Sequence, residues 1–275
     1  MEKIHVSCVQ FAYKPINTFE DFATNVNNLL NDTKGSQFVV FPETFTLELQ
    51  YLIPNYNLTR IPEFTAHYVE LFTELSRKNH QYIIAGSHLV IENEKEYNIS
   101  YLFCPDGKIF KHRKTHLFPL ESQMGVTPGD ELVIFETEFG KIAIIICYEM
   151  EFPEVARTLT LKGAEIVFCP SYTVGEHAFW RVRHSCQARA IENQIYVVHS
   201  CMVGPAPLGG IKGWGKSSIL SPCEPPWNPN GIIIEAEENK EMVISAVLDL
   251  KLLHQKRKRG AAPTLKDRRP EIYDL

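Results

Sequence analysis

The chain has 275 residues, 44% of them hydrophobic and 22% charged, with a formal net charge of -5. That length can bury a substantial core, in one large domain or two small ones. The negative balance gives no electrostatic footprint for nucleic acid, and no apolar run is long enough to span a bilayer. In chain order, Ile4 to Val9 reads as a strand. Thr18 and Asp21 resemble a capping pair, after which Phe22, Val26, Leu29 and Leu30 share a helical face. Phe38 to Phe41 is a short buried strand that Pro42 ends, and Tyr68, Leu71, Phe72 and Leu75 mark a second helix. Tyr82–Ala85, Ile99–Phe103 and Ile109–Phe110 read as strands, the last two joined by a Pro105-Asp-Gly107 turn.

Lys141 to Ile146 is a further buried strand, and Cys147 sits where it turns into a helical segment with Pro153 near its start. A thiol on such a turn faces unpaired amides, a setting expected to lower its pKa and to supply donors to an oxyanion. Val155 and Leu159 share the next helical face, with Gly163 as its stop. Ile166–Cys169 is a strand closed by Pro170, Trp180–Asn193 a helix, and Ile195–Val198 and Met242–Val247 strands. The Gly/Pro-rich stretch from Pro205 to Pro229 reads as loops around a strand at 217–220. Strands and helices interleave throughout without linker or repeat, so one α/β domain over residues 1–275 is expected, with 251–275 as a C-terminal arm. The N-terminus lacks the layout of a signal peptide. Seven scattered cysteines, none in a Cys-x-x-Cys pair, favour reduced thiols in a cytoplasm over a disulfide framework or a zinc site.

Three short motifs carry the chemistry, each following a strand: Phe41-Pro-Glu43-Thr-Phe45, Lys111-His-Arg-Lys114-Thr-His-Leu-Phe-Pro119 and Cys147-Tyr-Glu-Met-Glu-Phe-Pro-Glu154. Singly, each has a bland alternative. Glu43 could be a solvated carboxylate, Lys114 part of a wet basic run, and Cys147 a small buried apolar residue. In this order, the three resemble the nitrilase superfamily of carbon–nitrogen hydrolases. Further matches are Thr127-Pro-Gly-Asp130, Ala188-Arg-Ala-Ile-Glu-Asn193, Gly213-Trp-Gly-Lys-Ser217 and Arg268-Arg-Pro-Glu-Ile-Tyr273.

The resemblance implies a four-layer α-β-β-α sandwich with Glu43, Lys114 and Cys147 together at strand ends. It implies thioester chemistry without a cofactor or metal, and a homodimer or larger even assembly. The residue types suit that chemistry. Cys147 would be the nucleophile, and Glu43 would take its proton and pass one to the leaving amine. Lys114 would be a fixed charge beside the oxyanion, favouring the thiolate and keeping Glu43 ionised, with the Tyr148 N–H as second donor. Glu121, the only carboxylate between Lys114 and Asp130, orients the lysine or positions substrate by the resemblance, and otherwise is an exposed loop residue. Glu149, Tyr172 and His177 are weaker candidates for substrate contact, with packing or surface roles as alternatives.

The leading expectation is hydrolysis of a small amide or N-carbamoyl compound through a Cys147 thioester, releasing ammonia. Conversion of a nitrile to a carboxylic acid is the alternative, because Tyr148-Glu149 mixes features of both branches. A catalytically silent binding protein would need a core residue missing. A zinc hydrolase finds no His-Glu-x-x-His or paired-Cys spacing among the ten histidines and seven cysteines. The basic run from Lys251 to Arg259 reads as a solvated segment with an intermittent apolar face rather than a nucleic-acid patch.

Overall fold

Side chains of β1 (Lys3–Ala12) alternate between two cores, as the period of two in a strand requires. Ile4, Val6 and Cys8 enter one cluster, and Val9 and Phe11 the other. The computed structural model describes residues 3–207 and 210–273. The elements after β1 are α1 (Phe19–Asn31), β2 (Phe38–Val40), α2 (Thr65–Asn79), β3 (Tyr82–Ile84), β4 (His88–Glu92), β5 (Lys95–Phe103) and β6 (Ile109–Arg113). Next come α3 (Pro119–Gln123), β7 (Phe135–Thr137), β8 (Gly140–Ile144), α4 (Pro153–Leu161), β9 (Ile166–Ser171), α5 (Glu176–Asn193) and β10 (Tyr196–Pro205). The chain continues through β11 (Lys212–Gly213), β12 (Ser218–Leu220), β13 (Ile232–Glu235), β14 (Met242–Asp249) and α6 (Leu250–Arg259).

Hydrogen bonding runs β4-β5-β3-β2-β1-β10-β9-β8-β7, with β6 on β5, β14 on β1 and β12 on β10. β1 and β10 meet in parallel only at their ends, at Phe11↔Met202 and Ala12↔Val203. The sheet therefore curls there and its two halves face each other. Phe38 of β2 packs on Phe168 of β9 across the gap, with ring centroids 5.5 Å apart. The cluster between the halves continues past β8 and β9 to Val155 and Leu159 of α4 and Val182 and Ala190 of α5. On the opposite side, Val39, Phe41 and Ile83 pack against Phe22 and Val26 of α1 and Tyr68 and Phe72 of α2. The layers are helix, sheet, sheet, helix, the α-β-β-α sandwich expected.

The local signals explain the elements. Thr18 and Asp21 form a reciprocal capping box that starts α1. The pattern Tyr68, Phe72, Leu75 buries one face of α2. β8 and β9 are covered on both faces, so they read as unbroken apolar runs rather than alternating ones. Two details differ from the sequence reading. Cys147–Glu151 is a single 3-10 turn, and the α-helix begins only at Pro153, whose ring suits a first helical position. α5 starts at Glu176, directly after Gly175 in the left-handed region (φ 79°), rather than at Trp180. The basic run is an ordered helix: Asp249 caps α6, Leu253 is buried, and Arg257 donates to the carbonyls of Gln194 and Ala164. Among the described residues, no helix is long and apolar enough to cross a membrane.

Candidate active site

Glu43 follows β2 on a tight corner. Thr44 has φ 48°, its N–H donates to Ser87 Oγ at 3.0 Å, and Gly86 (φ 57°) lies beneath. A Cβ on Gly86 would stand 2.0 Å from the Pro42 carbonyl oxygen, so only glycine lets the corner close this way. Lys114 leaves β6 with its N–H on the Asn98 carbonyl at 2.9 Å and its own carbonyl accepting from Gly129 N at 2.8 Å. The Thr127-Pro-Gly-Asp130 turn thus pins the backbone that carries the lysine. Cys147 ends the β8 run with φ 46°, a left-handed conformation that a non-glycine residue holds only under strain.

These three side chains converge. Lys114 Nζ stands 2.7 Å from Glu43 Oε1 and 2.5 Å from Glu121 Oε2. Glu43 Oε2 accepts the Tyr172 N–H at 2.9 Å, and the Cys147 thiol points at the Tyr172 carbonyl at 3.8 Å. Glu121 is set in place by the Phe118 N–H at 2.8 Å. Asn98, which the sequence reading did not single out, joins both acids: its Nδ2 is 3.2 Å from Glu43 Oε1 and 2.8 Å from Glu121 Oε1. Its strand also carries Lys95, Glu96 and Ser100, so one more polar residue there gave no signal in the sequence.

Among the weaker candidates, the outcomes divide. The Tyr148 ring packs edge-on against Phe118 and Phe152, beside the thiol turn. Tyr172 belongs to the cluster through its backbone, and its phenol oxygen is buried without a partner among the described residues. His177 is exposed on the first turn of α5 and has no hydrogen bond or ion pair among the described residues, so nothing there joins it to the others. Glu149 is fully buried with both oxygens taken up inside the protein by His112, Thr115 and the Ile146 N–H, which leaves nothing to offer a substrate.

Burial governs the electrostatics. Glu43, Lys114 and Cys147 are 4%, 2% and 7% exposed. Desolvation pushes the Glu43 carboxyl above its ordinary range against the pull of Lys114. Burial would lower the Lys114 ammonium, but Glu43, Glu121 and Cys147 outweigh it and hold the pKa above its usual value. Burial and the Glu43 carboxylate raise the Cys147 thiol well above its ordinary value, with Lys114 opposing. Burial therefore works against the lowered thiol pKa expected for this turn, and the Lys114 ammonium lies between two acids.

A second cluster of donor atoms lies outside this group. Cys169, Cys186 and His199 are buried with one donor atom each within 4.8 Å of one another, and Cys201 Sγ is 3.5 Å from His199 Nε2. Burial raises the Cys186 thiol well above its ordinary value and lowers the His199 imidazole to about 3, which favours the neutral form of these two groups. Sequence spacing gave no hint of it, because β9, α5 and β10 bring the three residues together only in the fold.

Comparison with known proteins follows the same outline. The family described as carbon-nitrogen hydrolase matches residues 5–258. The "Probable hydrolase YhcX" of Bacillus subtilis is 41% identical over 282 residues, which cover 99% of this chain and 55% of that protein. The chain therefore spans about half the length of that relative. The "Omega-amidase NIT2-A" of Xenopus laevis is 29% identical over 293 residues, covering 100% of this chain and 98% of its own. The crystal structure of Saccharomyces cerevisiae Nit3, a member of branch 10 of the nitrilase superfamily, superposes with a TM-score of 0.78 at 26% identity, covering 98% of this chain and 97% of that one. The chain belongs to the carbon-nitrogen hydrolase family of the nitrilase superfamily.

Proposed function

We propose that the protein hydrolyses the C–N bond of a small amide or N-carbamoyl compound through a thioester on Cys147. The observation that carries this reading is the bridging position of Glu43, bound at once to Lys114 Nζ and the Tyr172 N–H beside a buried thiol. Glu43 takes the Cys147 proton as the sulfur attacks the carbonyl carbon, and the C=O electron pair moves to oxygen. The Lys114 ammonium and the Tyr148 N–H receive that oxyanion, and each such donor is worth about 10²–10³ in rate. Protonated Glu43 then gives its proton to the nitrogen, the C–N bond breaks and ammonia leaves. Water, deprotonated by Glu43, attacks the thioester. The acid is released and the proton returns to sulfur. Glu121 and Asn98 orient Lys114 and Glu43.

With burial raising the thiol pKa, Glu43 takes the proton as the sulfur attacks rather than through a standing ion pair. The reaction needs no cofactor. Similarity to an omega-amidase puts ω-amides first among substrates. We further infer one catalytic domain acting in the cytoplasm, as a homodimer or larger even assembly. The test is a panel of ω-amides, N-carbamoyl amines, aliphatic amides and nitriles scored for ammonia, with mass spectrometry of the intact protein under turnover. An added acyl mass on the protein, absent in Cys147→Ala, supports the reading. Full turnover by Cys147→Ala overturns it, and release of acid from nitriles alone replaces the amide with the nitrile.

A further inference from the structure

Glu149 gathers four donor groups around one buried carboxylate. Its Oε1 accepts Thr115 N at 2.7 Å and Thr115 Oγ1 at 2.6 Å. Its Oε2 accepts Ile146 N at 2.6 Å and His112 Nε2 at 2.9 Å. Both side chains of the Glu149–His112 pair are sealed from solvent, at 0% and 1% exposure. The donors come from two elements that are far apart in sequence. Thr115 directly follows Lys114 on the segment leaving β6, and Ile146 directly precedes Cys147 at the end of the β8 run. The other nitrogen of the His112 ring, Nδ1, is buried with no partner among the described residues, so the bond to Glu149 is the ring's one polar anchor there.

We infer that Glu149 is a positioning residue: a carboxylate clamp that fixes the Lys114 backbone against the Cys147 turn and thereby sets where the ammonium meets the nascent oxyanion. This rests on the proposed roles of Lys114 and Cys147. The clamp is charged throughout the working range, since His112 and Thr115 outweigh burial and hold the carboxyl down to about 2. A neutral amide could not do the same. Gln would turn an NH2 group toward donors that converge from both segments, so one arm of the clamp must let go. A misplacement of about 1 Å between catalytic groups can cost roughly 10²-fold in rate.

The experiment compares Glu149→Gln and Thr115→Val with the wild-type chain. Thr115→Val keeps shape and backbone while deleting the hydroxyl's bonds to Glu149 Oε1 and His116 Nδ1, so it folds where Glu149→Gln is at risk. The expected result is a fall in kcat of about 10²-fold for Glu149→Gln and about ten-fold for Thr115→Val, with KM little changed in both. The pH midpoint of Cys147 alkylation by iodoacetamide should move upward in each, as Lys114 drifts from the sulfur. A merely structural role would lower the amount of folded protein without moving that midpoint. Unchanged kcat and an unmoved midpoint in folded Thr115→Val and Glu149→Gln overturn the clamp. Turnover that persists in Cys147→Ala overturns the underlying mechanism instead, so the two failures are distinguishable.

Discussion

Lys114 Nζ bonds Glu43 Oε1 at 2.7 Å inside a site that exposes only 2% of the lysine. With Glu121 at 2.5 Å on its other side, the ammonium is held between two acidic side chains. Removing the cation leaves both acids unpaired in a desolvated setting, which costs about 3–5 kcal/mol when one partner of a buried pair is lost. Lys114→Met is therefore expected to abolish turnover and to lower the midpoint of thermal unfolding sharply. Glu121→Gln should be gentler, because that side chain is 18% exposed and keeps an oxygen for Lys114. Calorimetry and ammonia release on the two variants check the contrast: equal losses of stability would refute it.

The acid limb of the pH–rate profile should lie above the ordinary carboxylate range. Glu43 must be ionised to accept the thiol proton, and burial raises its pKa despite Lys114. Activity is then present above the raised pKa and lost as pH falls through it. Asn98→Leu, which removes the amide donor to Glu43, should push the limb higher still, since the lost hydrogen bond favoured the charged form. A kcat/KM profile from pH 4 to 9 with its acid limb at an unperturbed glutamate value of about 4.3 would contradict this.

How much of this could be read in advance depends on which interactions are local. The strand runs, the Thr18–Asp21 box and the order of the three motifs are written in neighbouring residues, and so were legible. Glu149 was not. Its spacing from Cys147 suggested a pocket residue, but its direction is decided by Thr115 and His112, more than thirty positions away. The raised pKa of the Cys147 thiol was hidden for a related reason. A turn at a strand end suggests an activated thiol, whereas the burial that opposes ionisation comes from sheets and helices closing over it. The Cys169–Cys186–His199 cluster likewise exists only because β9 and β10 pair with Cys169 opposite His199.

Gly86 supports the site from below. An added methyl would lie 2.0 Å from the Pro42 carbonyl and 2.7 Å from the Phe45 ring, in a conformation with positive φ. Gly86→Ala should therefore displace the Pro42-Glu43 corner. The expected cost is about 1–3 kcal/mol of overpacking, together with a loss of kcat larger than that of a core substitution equal in stability but remote from the corner, such as Val26→Ala in α1. Denaturant titrations paired with kcat for the two variants make the comparison. A Gly86→Ala enzyme with wild-type kcat would show that the corner can relax without carrying Glu43 along.

Acid should unfold the protein through its buried histidines before its surface carboxylates matter. His88 bonds Thr46 and Thr65 in the helix-covered core, and burial lowers its pKa to about 3 from the ordinary 6.5. A depressed histidine pKa means the unfolded chain binds the proton first. The stabilisation is complete above about 6.5 and declines as pH falls toward 3. At pH 5 the shift amounts to about 2 kcal/mol for this one group, taking 1.36 kcal/mol per unit. His199 should add a loss of the same sign, since burial lowers it too, to about 3. His88→Gln, which can still reach a threonine hydroxyl, should be less stable at pH 7.5 yet lose less on going to pH 5. Urea midpoints at the two pH values give the difference. A slope identical to that of the wild type would mean His88 does not take up its proton on unfolding.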